Sequence, residues 1–222
     1  MAESQTPEQV RDEIVKAMPA PLGEIYHALH DELVWLHLKW NDFRRLYAAE
    51  QAQIDLLNAA APAFFSDLRR MMWEDVLLHL CRITDPPRSA GHDTLTLRRL
   101  PELIPDAAVR DSVQKLVDDA NQKTKFARDW RNRRLAHEEL PPLADAPARP
   151  LATASRQHVE DALEPMRAAM NTISRHYLKS TFMYAGSIEA LGGVESLLSR
   201  LKKGLDVERA ARDALHSKRG GC

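Results

Sequence analysis

The sequence predicts an all-α protein, and three observations carry that reading. Apolar residues recur at three- and four-residue intervals through most of the chain, the period of a helix with one buried face. Only 8 Gly and 13 Pro occur in 222 residues, too few for a fold built from short strands and tight turns. The periodic stretches end at proline- or glycine-bearing segments, as helices do.

Residues 1–20 read as a polar N-terminal lead. Over 22–50, Leu22, Ile25, Leu29, Leu33, Leu36, Trp40, Phe43 and Tyr47 form one continuous stripe and predict a long helix. Pro62 suits the first turn of the next helix, where Phe65, Leu68, Met72, Val76, Leu80 and Ile83 repeat the spacing. Phe64, Met71, Leu77, Leu78 and Cys81 widen that stripe, which predicts a helix at the centre of a bundle. Asp85-Pro86-Pro87 ends it, because consecutive prolines cannot continue a helix.

A short crossing helix is expected around Leu95, Leu97, Leu100, Leu103 and Ile104, capped by Asp93 or Thr94. A third long helix is expected from Asp106 to about His137, with Val109, Val113, Leu116, Ala120, Thr124 and Ala127 on one stripe that ends at Arg131. Four prolines in 138–154 make a loop. Thr153 or Ser155 then caps a fourth long helix carrying Val159, Leu163, Met166, Met170, Ile173 and Tyr177, which Pro165 is expected to kink. The expected organisation is a four-helix bundle over 21–186 and a C-terminal helical extension over 187–222, the latter marked by Leu191, Val194, Leu198, Leu201 and Leu205.

With 31 Lys+Arg against 32 Asp+Glu, net charge exerts no overall pull toward nucleic acid or membrane. Two cysteines, Cys81 and Cys222, make neither a disulfide framework nor a CxxC metal site. The polar start and the absence of a long apolar run imply neither signal peptide nor membrane span, so a cytoplasmic location is expected. His27, His30 and His37 with Asp31 and Glu32 are the nearest approach to a metal cluster. A bundle metal site draws ligands from several helices, and no metal or other cofactor is expected.

The aromatics Trp35, Trp40, Trp73, Phe64 and Phe65 lie at helical spacing and read as core. His79 reads as an interior or interface histidine, and Cys81 as a small buried hydrophobe. Asp85 reads as a turn residue, with a contact to Arg131 or Arg82 as the alternative.

One segment departs from the neutral average. Residues 121–137 hold Lys123, Lys125, Arg128, Arg131, Arg133 and Arg134 against Asp129 alone, a local charge of +5. Within it, RDWRNRRLAH places Asn132 directly after Arg131 and His137 six residues on. A histidine can move the proton of a ribose hydroxyl or of a leaving oxygen, and arginine and asparagine can donate to a phosphate gaining charge. The plain structural alternative is a basic helix end whose cations favour the C-terminal dipole.

An Arg, a polar residue after it and a His a few positions on, near the end of a long helix, resemble the HEPN superfamily. WEDVLLHLCRITDPP, TLTL and RNRRLAH in that order are similar to its abortive-infection U-type domains, over roughly 20–185. The resemblance implies a helical bundle that dimerises. It also implies a metal-independent endoribonuclease in phage defence or toxin biology, in which a 2′-hydroxyl attacks the adjacent phosphate. It carries catalytic roles to Arg131, Asn132 and His137, with Arg133, Arg134, Arg128 and Lys125 holding RNA. Six residues on an α-helix are effectively 120° apart by the ideal geometry of about 100° per residue, so Arg131 and His137 do not lie side by side, and a symmetric second helix could complete such a site from the other side. Arg133, four residues before His137, is the closer same-face neighbour on a straight helix. Glu139 stands where some relatives carry a tyrosine modified by a nucleotidyltransferase antitoxin, so control by such modification is not expected. RNA, a second copy and a protein antitoxin are the expected partners, with no DNA and no membrane. The competing class is a non-catalytic HEPN-like module that binds RNA or a protein.

Overall fold

The structure, a computed structural model, describes residues 6–48, 50–89, 91–135, 150–184 and 192–219. Helices supply nearly all of its regular structure: α1 (Pro7–Lys16), α2 (Leu22–Tyr47), α3 (Gln51–Ala60), α4 (Pro62–Thr84), α5 (Leu100–Leu103), α6 (Ala107–Lys123), α7 (Lys125–Trp130), α8 (Arg156–Tyr177) and α9 (Val194–Arg219). Two-residue strands β1 (Arg88–Ser89) and β2 (His92–Asp93) pair antiparallel between α4 and α5. Among the described residues no helix is long and apolar enough to cross a membrane.

The chain forms two compact units, Met1–His37 with Asp75–Ala185 and Leu38–Glu74 with Gly186–Cys222. Helices α2 and α4 contribute one half to each. In the first unit, α2 buries Leu22, Tyr26, Leu29, Leu33 and Leu36. From α4 come Val76, Leu77, Leu80, Cys81 and Ile83, and α6 and α8 pack along each other through Val113, Val117, Val159, Leu163, Met166, Met170 and Ile173. Each such side chain removed from water contributes about 1.5–3 kcal/mol before its entropy cost. Ser155 caps α8 by accepting from the His158 amide, and Pro165 sits inside a helix that continues to Tyr177. The second unit has its own core of Leu46, Leu57, Phe65, Val194 and Leu198. Beside it, Trp40, Phe43, Tyr47 and Trp73 stack with centroids 5.4–6.3 Å apart.

The structure departs from the sequence reading in several places. The polar lead contains α1, opened by a capping box in which Thr6 and Gln9 satisfy each other's backbone amides. Helix α2 stops at Tyr47 and α3 follows as a separate helix. The predicted third long helix is broken at Thr124, whose ψ of 2° lies outside the helical range. Asp93 belongs to β2, and the cap of the following 3-10 turn, Leu97–Arg99, is Thr96, whose hydroxyl accepts from the Arg98 amide. Trp35 and Phe64, expected in the core, are 60% and 62% exposed. Each is the immediate neighbour of a buried residue, Leu36 and Phe65, and one residue is about 100° around a helix. Met71 and Leu78, at seven-residue steps after Phe64, are exposed on the same side of α4.

The chain enters α2 by passing Gly23 against the end of α1. A Cβ there would lie 2.7 Å from the Val15 carbonyl oxygen and 2.8 Å from its Cα, both backbone atoms. Gly23→Ala is therefore expected to destabilise the fold by about 1–3 kcal/mol, read as a lowered thermal unfolding midpoint. An unchanged midpoint would mean that α1 shifts without cost.

Candidate functional site

The basic segment begins where α6 breaks. The Thr124 hydroxyl bonds back to the Ala120 carbonyl at 2.9 Å, and Thr84, the last residue of α4, lies 3.2 Å from it, hydroxyl to hydroxyl. Both threonines are buried. Arg128, one turn along α7, reaches into this junction. Its Nη2 donates to the Thr84 carbonyl and hydroxyl, each at 2.7 Å, and its Nη1 donates to the Thr124 hydroxyl at 2.9 Å and the Asn121 carbonyl at 3.0 Å. One guanidinium thus caps the ends of α4 and α6 together. Burial lowers its pKa, and Cys81 and Asp85 work against that.

Fixing the end of α4 fixes Asp85, the next residue. Arg131 Nη1 donates to both Asp85 carboxylate oxygens, at 2.8 and 2.7 Å, while Arg128 Nε stands 3.9 Å from the same group. Burial pulls the Arg131 pKa down, and the hydrogen bond and charge of Asp85 outweigh it, leaving the pKa raised. Asn132 completes the hold by accepting from Arg131 Nε at 3.1 Å. The third nitrogen of the guanidinium, Nη2, has no partner among the described residues, and the side chain is 27% exposed. Arg131 is thus a fixed cation with one donor to spare.

Arg131–Leu135 closes as a π-helix, a wider turn that recurs at functional sites. Arg133 turns back to Asp129 at 3.4 Å and to the Pro150 carbonyl at 3.0 Å. Arg134 covers the Trp130 ring at 5.7 Å, and Trp130 donates to the Ala152 carbonyl at 2.8 Å. Lys123 pairs with Asp119 at 2.8 Å, and Lys125 is exposed. The segment that follows Asp85 is held by Thr96, which donates to the Ile83 and Asp85 carbonyls, and by Arg99, which reaches the Thr94 and Pro87 carbonyls and Asp93.

A cavity of about 270 Å³ opens beside Asp85, lined by Glu32, Arg82, Ile83, Thr94 and Leu95. Across it Glu32 receives Arg82 and stands 2.9 Å from His79 Nε2. Arg82 therefore belongs to Glu32, and Arg131 to Asp85. Cys81 lies behind this cluster, its thiol pushed up to about 11 by burial and so inert as a nucleophile. His27 pairs with Asp31 at 3.4 Å and His30 Nδ1 with the Tyr184 hydroxyl at 2.8 Å. Burial depresses the His30 pKa, which keeps that ring neutral near pH 7.

The structure brings Arg131, Asn132 and Arg128 to one place and adds Asp85, Thr84 and Thr124. His137 and Glu139 lie outside the described residues, as do Cys222 and the proline segment up to 149. The signal for Asp85 was its position at the end of α4, ahead of two prolines. Nothing in the sequence announced Thr84 or Thr124.

The family model AbiU2, of the HEPN group, matches the chain over residues 20–189, a stretch that holds Asp85, Arg128, Arg131 and Asn132. The chain belongs to the HEPN AbiU2 family. Neither the curated proteins nor the solved structures include a significant match to it. The matched stretch runs from the start of α2 to beyond the end of α8 and leaves α1 and α9 outside it.

Proposed function

We propose that this AbiU2 domain cleaves RNA without a metal ion, acting in phage defence by abortive infection or as a toxin. The carrying observation is Arg131, a surface guanidinium anchored by Asp85 and Asn132 with Nη2 left to donate to a phosphate. Arg131 stabilises the charge that grows on the phosphate oxygens, and anchoring removes the cost of ordering it during reaction. Asn132 orients Arg131. His137, assigned from its place in the family motif, takes the proton of the 2′-hydroxyl. That oxygen then bonds to phosphorus as the bond to the 5′-oxygen breaks. The His137 of the partner subunit returns a proton to the leaving oxygen, so a homodimer forms the complete site. Products are a 2′,3′-cyclic phosphate and a 5′-hydroxyl. Lys125, Arg133 and Arg134 meet the RNA backbone, Arg128 positions Asp85, and the reaction belongs in the cytoplasm.

The test is cleavage of RNA by the purified chain in EDTA, with the ends analysed for cyclic phosphate. His137→Ala is expected to abolish cleavage and leave the helical circular dichroism unchanged; equal rates in both proteins sink the proposal. One observation favours a second reading, a non-catalytic module that binds RNA or a protein such as an antitoxin. Lys123, Arg131 and Arg133 each already face a carboxylate, and Arg128 is spent on the helix junction, so the cluster offers RNA far less than its formal +5. Binding without cleavage in the same assay would select that reading.

A further inference from the structure

The cavity of about 270 Å³ beside Asp85 opens next to Arg131, because the carboxylate that lines it is the one that holds the guanidinium. Ile83 and Leu95 give it apolar walls, and Glu32 and Arg82 bring the remaining charges. These walls are fixed from behind. Buried His79 stands 2.9 Å from Glu32 Oε2, while Thr94 donates to the Pro86 carbonyl and accepts Arg99 on its own carbonyl at 2.7 Å. A cavity shaped in advance of its ligand is the usual form of a small-molecule site.

Its charges cancel. Glu32 faces the guanidinium of Arg82 and Asp85 that of Arg131, so neither a cation nor an anion finds an uncompensated partner there. Hydrogen-bonding capacity is nevertheless left over. Both contacts of Glu32 fall on Oε2, and a carboxylate oxygen accepts two bonds, so Oε1 keeps two acceptor positions among the described residues. Arg82 spends Nη2 on Glu32 and keeps Nη1 and Nε as donors among the same residues. The ligand that fits is neutral, apolar on its faces, and carries two donors beside an acceptor on one edge.

We propose that this cavity takes a guanine base, that of the RNA nucleotide whose phosphate meets Arg131, and that Glu32 and Arg82 thereby set where the RNA is cut. The substrate class rests on the cleavage proposed above. Guanine alone among the four bases sets two N–H donors, on N1 and N2, side by side next to an acceptor, O6. The donors go to Glu32 Oε1, and Arg82 donates to O6. Adenine and cytosine turn a ring-nitrogen acceptor toward Glu32, and uracil offers it one N–H flanked by two carbonyls, so each leaves like groups opposed. Base and phosphate of a nucleotide are joined by one sugar, and the cavity and Arg131 are joined by one carboxylate.

Calorimetric titration of the full chain with guanosine 3′-monophosphate reads the cavity without any cleavage. Its affinity is expected to exceed those of the adenosine, cytidine and uridine 3′-monophosphates by about tenfold or more, the usual discrimination of a good two-bond base contact. Glu32→Gln keeps the side-chain shape but turns one acceptor into a donor, and is expected to bring the four nucleotides within about threefold of one another. Arg131→Ala is expected to weaken all four alike and keep their order. In RNA of mixed sequence, cuts by the wild type are expected beside guanosines, and cuts by Glu32→Gln beside any base. Equal wild-type affinity for the four nucleotides overturns the proposal, whether or not Glu32→Gln folds. A guanosine preference that survives Glu32→Gln in a folded protein also overturns it. Guanosine preference in a chain that cuts no RNA keeps this site and removes the nuclease, whereas cuts at every base with equal nucleotide affinities keep the nuclease and remove this site.

Discussion

Arg131→Ala is expected to slow RNA cleavage by about 10²–10³-fold, the usual cost of deleting one donor aimed at developing charge. The effect should fall on the chemical step, measured in single turnover with saturating enzyme, because the side chain offers one free nitrogen rather than an extended RNA contact. Asp85→Asn tests the anchor separately. The amide still accepts from Arg131 but carries no charge, so Arg131 loses the partner that fixes it, and a smaller loss of about tenfold is expected. Arg131→Ala cleaving at the wild-type rate would remove this residue from the reaction. Asp85→Asn being the more damaging of the two would place the carboxylate, and not the guanidinium, against the RNA.

The largest effect on stability is expected at Arg128, three residues earlier. Arg128→Ala deletes four hydrogen bonds and leaves the Thr84 carbonyl and the Thr84 and Thr124 hydroxyls short of a donor at 1% and 0% exposure. Unsatisfied buried polar groups cost about 1–3 kcal/mol each. The two hydroxyls still have each other and the preceding helical carbonyls, so the net loss is placed at about 2–4 kcal/mol. Urea unfolding of Arg128→Ala against wild type measures it as a lower midpoint with an unchanged slope. A midpoint within error of wild type would show that water replaces the guanidinium without penalty. Loss of cleavage in Arg128→Ala beyond what its unfolded fraction explains would report the displaced Asp85.

The long helices were legible because their apolar residues follow a single period. Leu22 to Phe43 and Val159 to Ile173 face inward as their spacing requires. The break at Thr124 was not legible, since Ala120, Thr124 and Ala127 keep the helical interval and are all buried. What interrupts the helix is a side chain inserted from the next turn, Arg128, and a hydroxyl from another helix, Thr84. Neither leaves a local trace. The same limit applied to Asp85. Its place after α4 made it a turn residue by inspection, but the choice between Arg82 and Arg131 depended on which guanidinium Glu32 had already taken. Adjacent apolar pairs were ambiguous as well. Phe64 and Phe65 are identical in chemistry, and only the direction of the Leu46–Leu57 core distinguishes them.

The π turn at Arg131–Leu135 bears on how such a motif is counted. A turn closed by i→i+5 bonds stores one residue more than an α turn, so it is locally an insertion that the helix has absorbed. A chain one residue shorter between the same two ends could present them from plain α geometry. The number of residues from Arg131 to Leu135 is therefore exchangeable with helix type within this turn. A single-residue deletion engineered in this turn would be a milder change than its place inside the motif suggests.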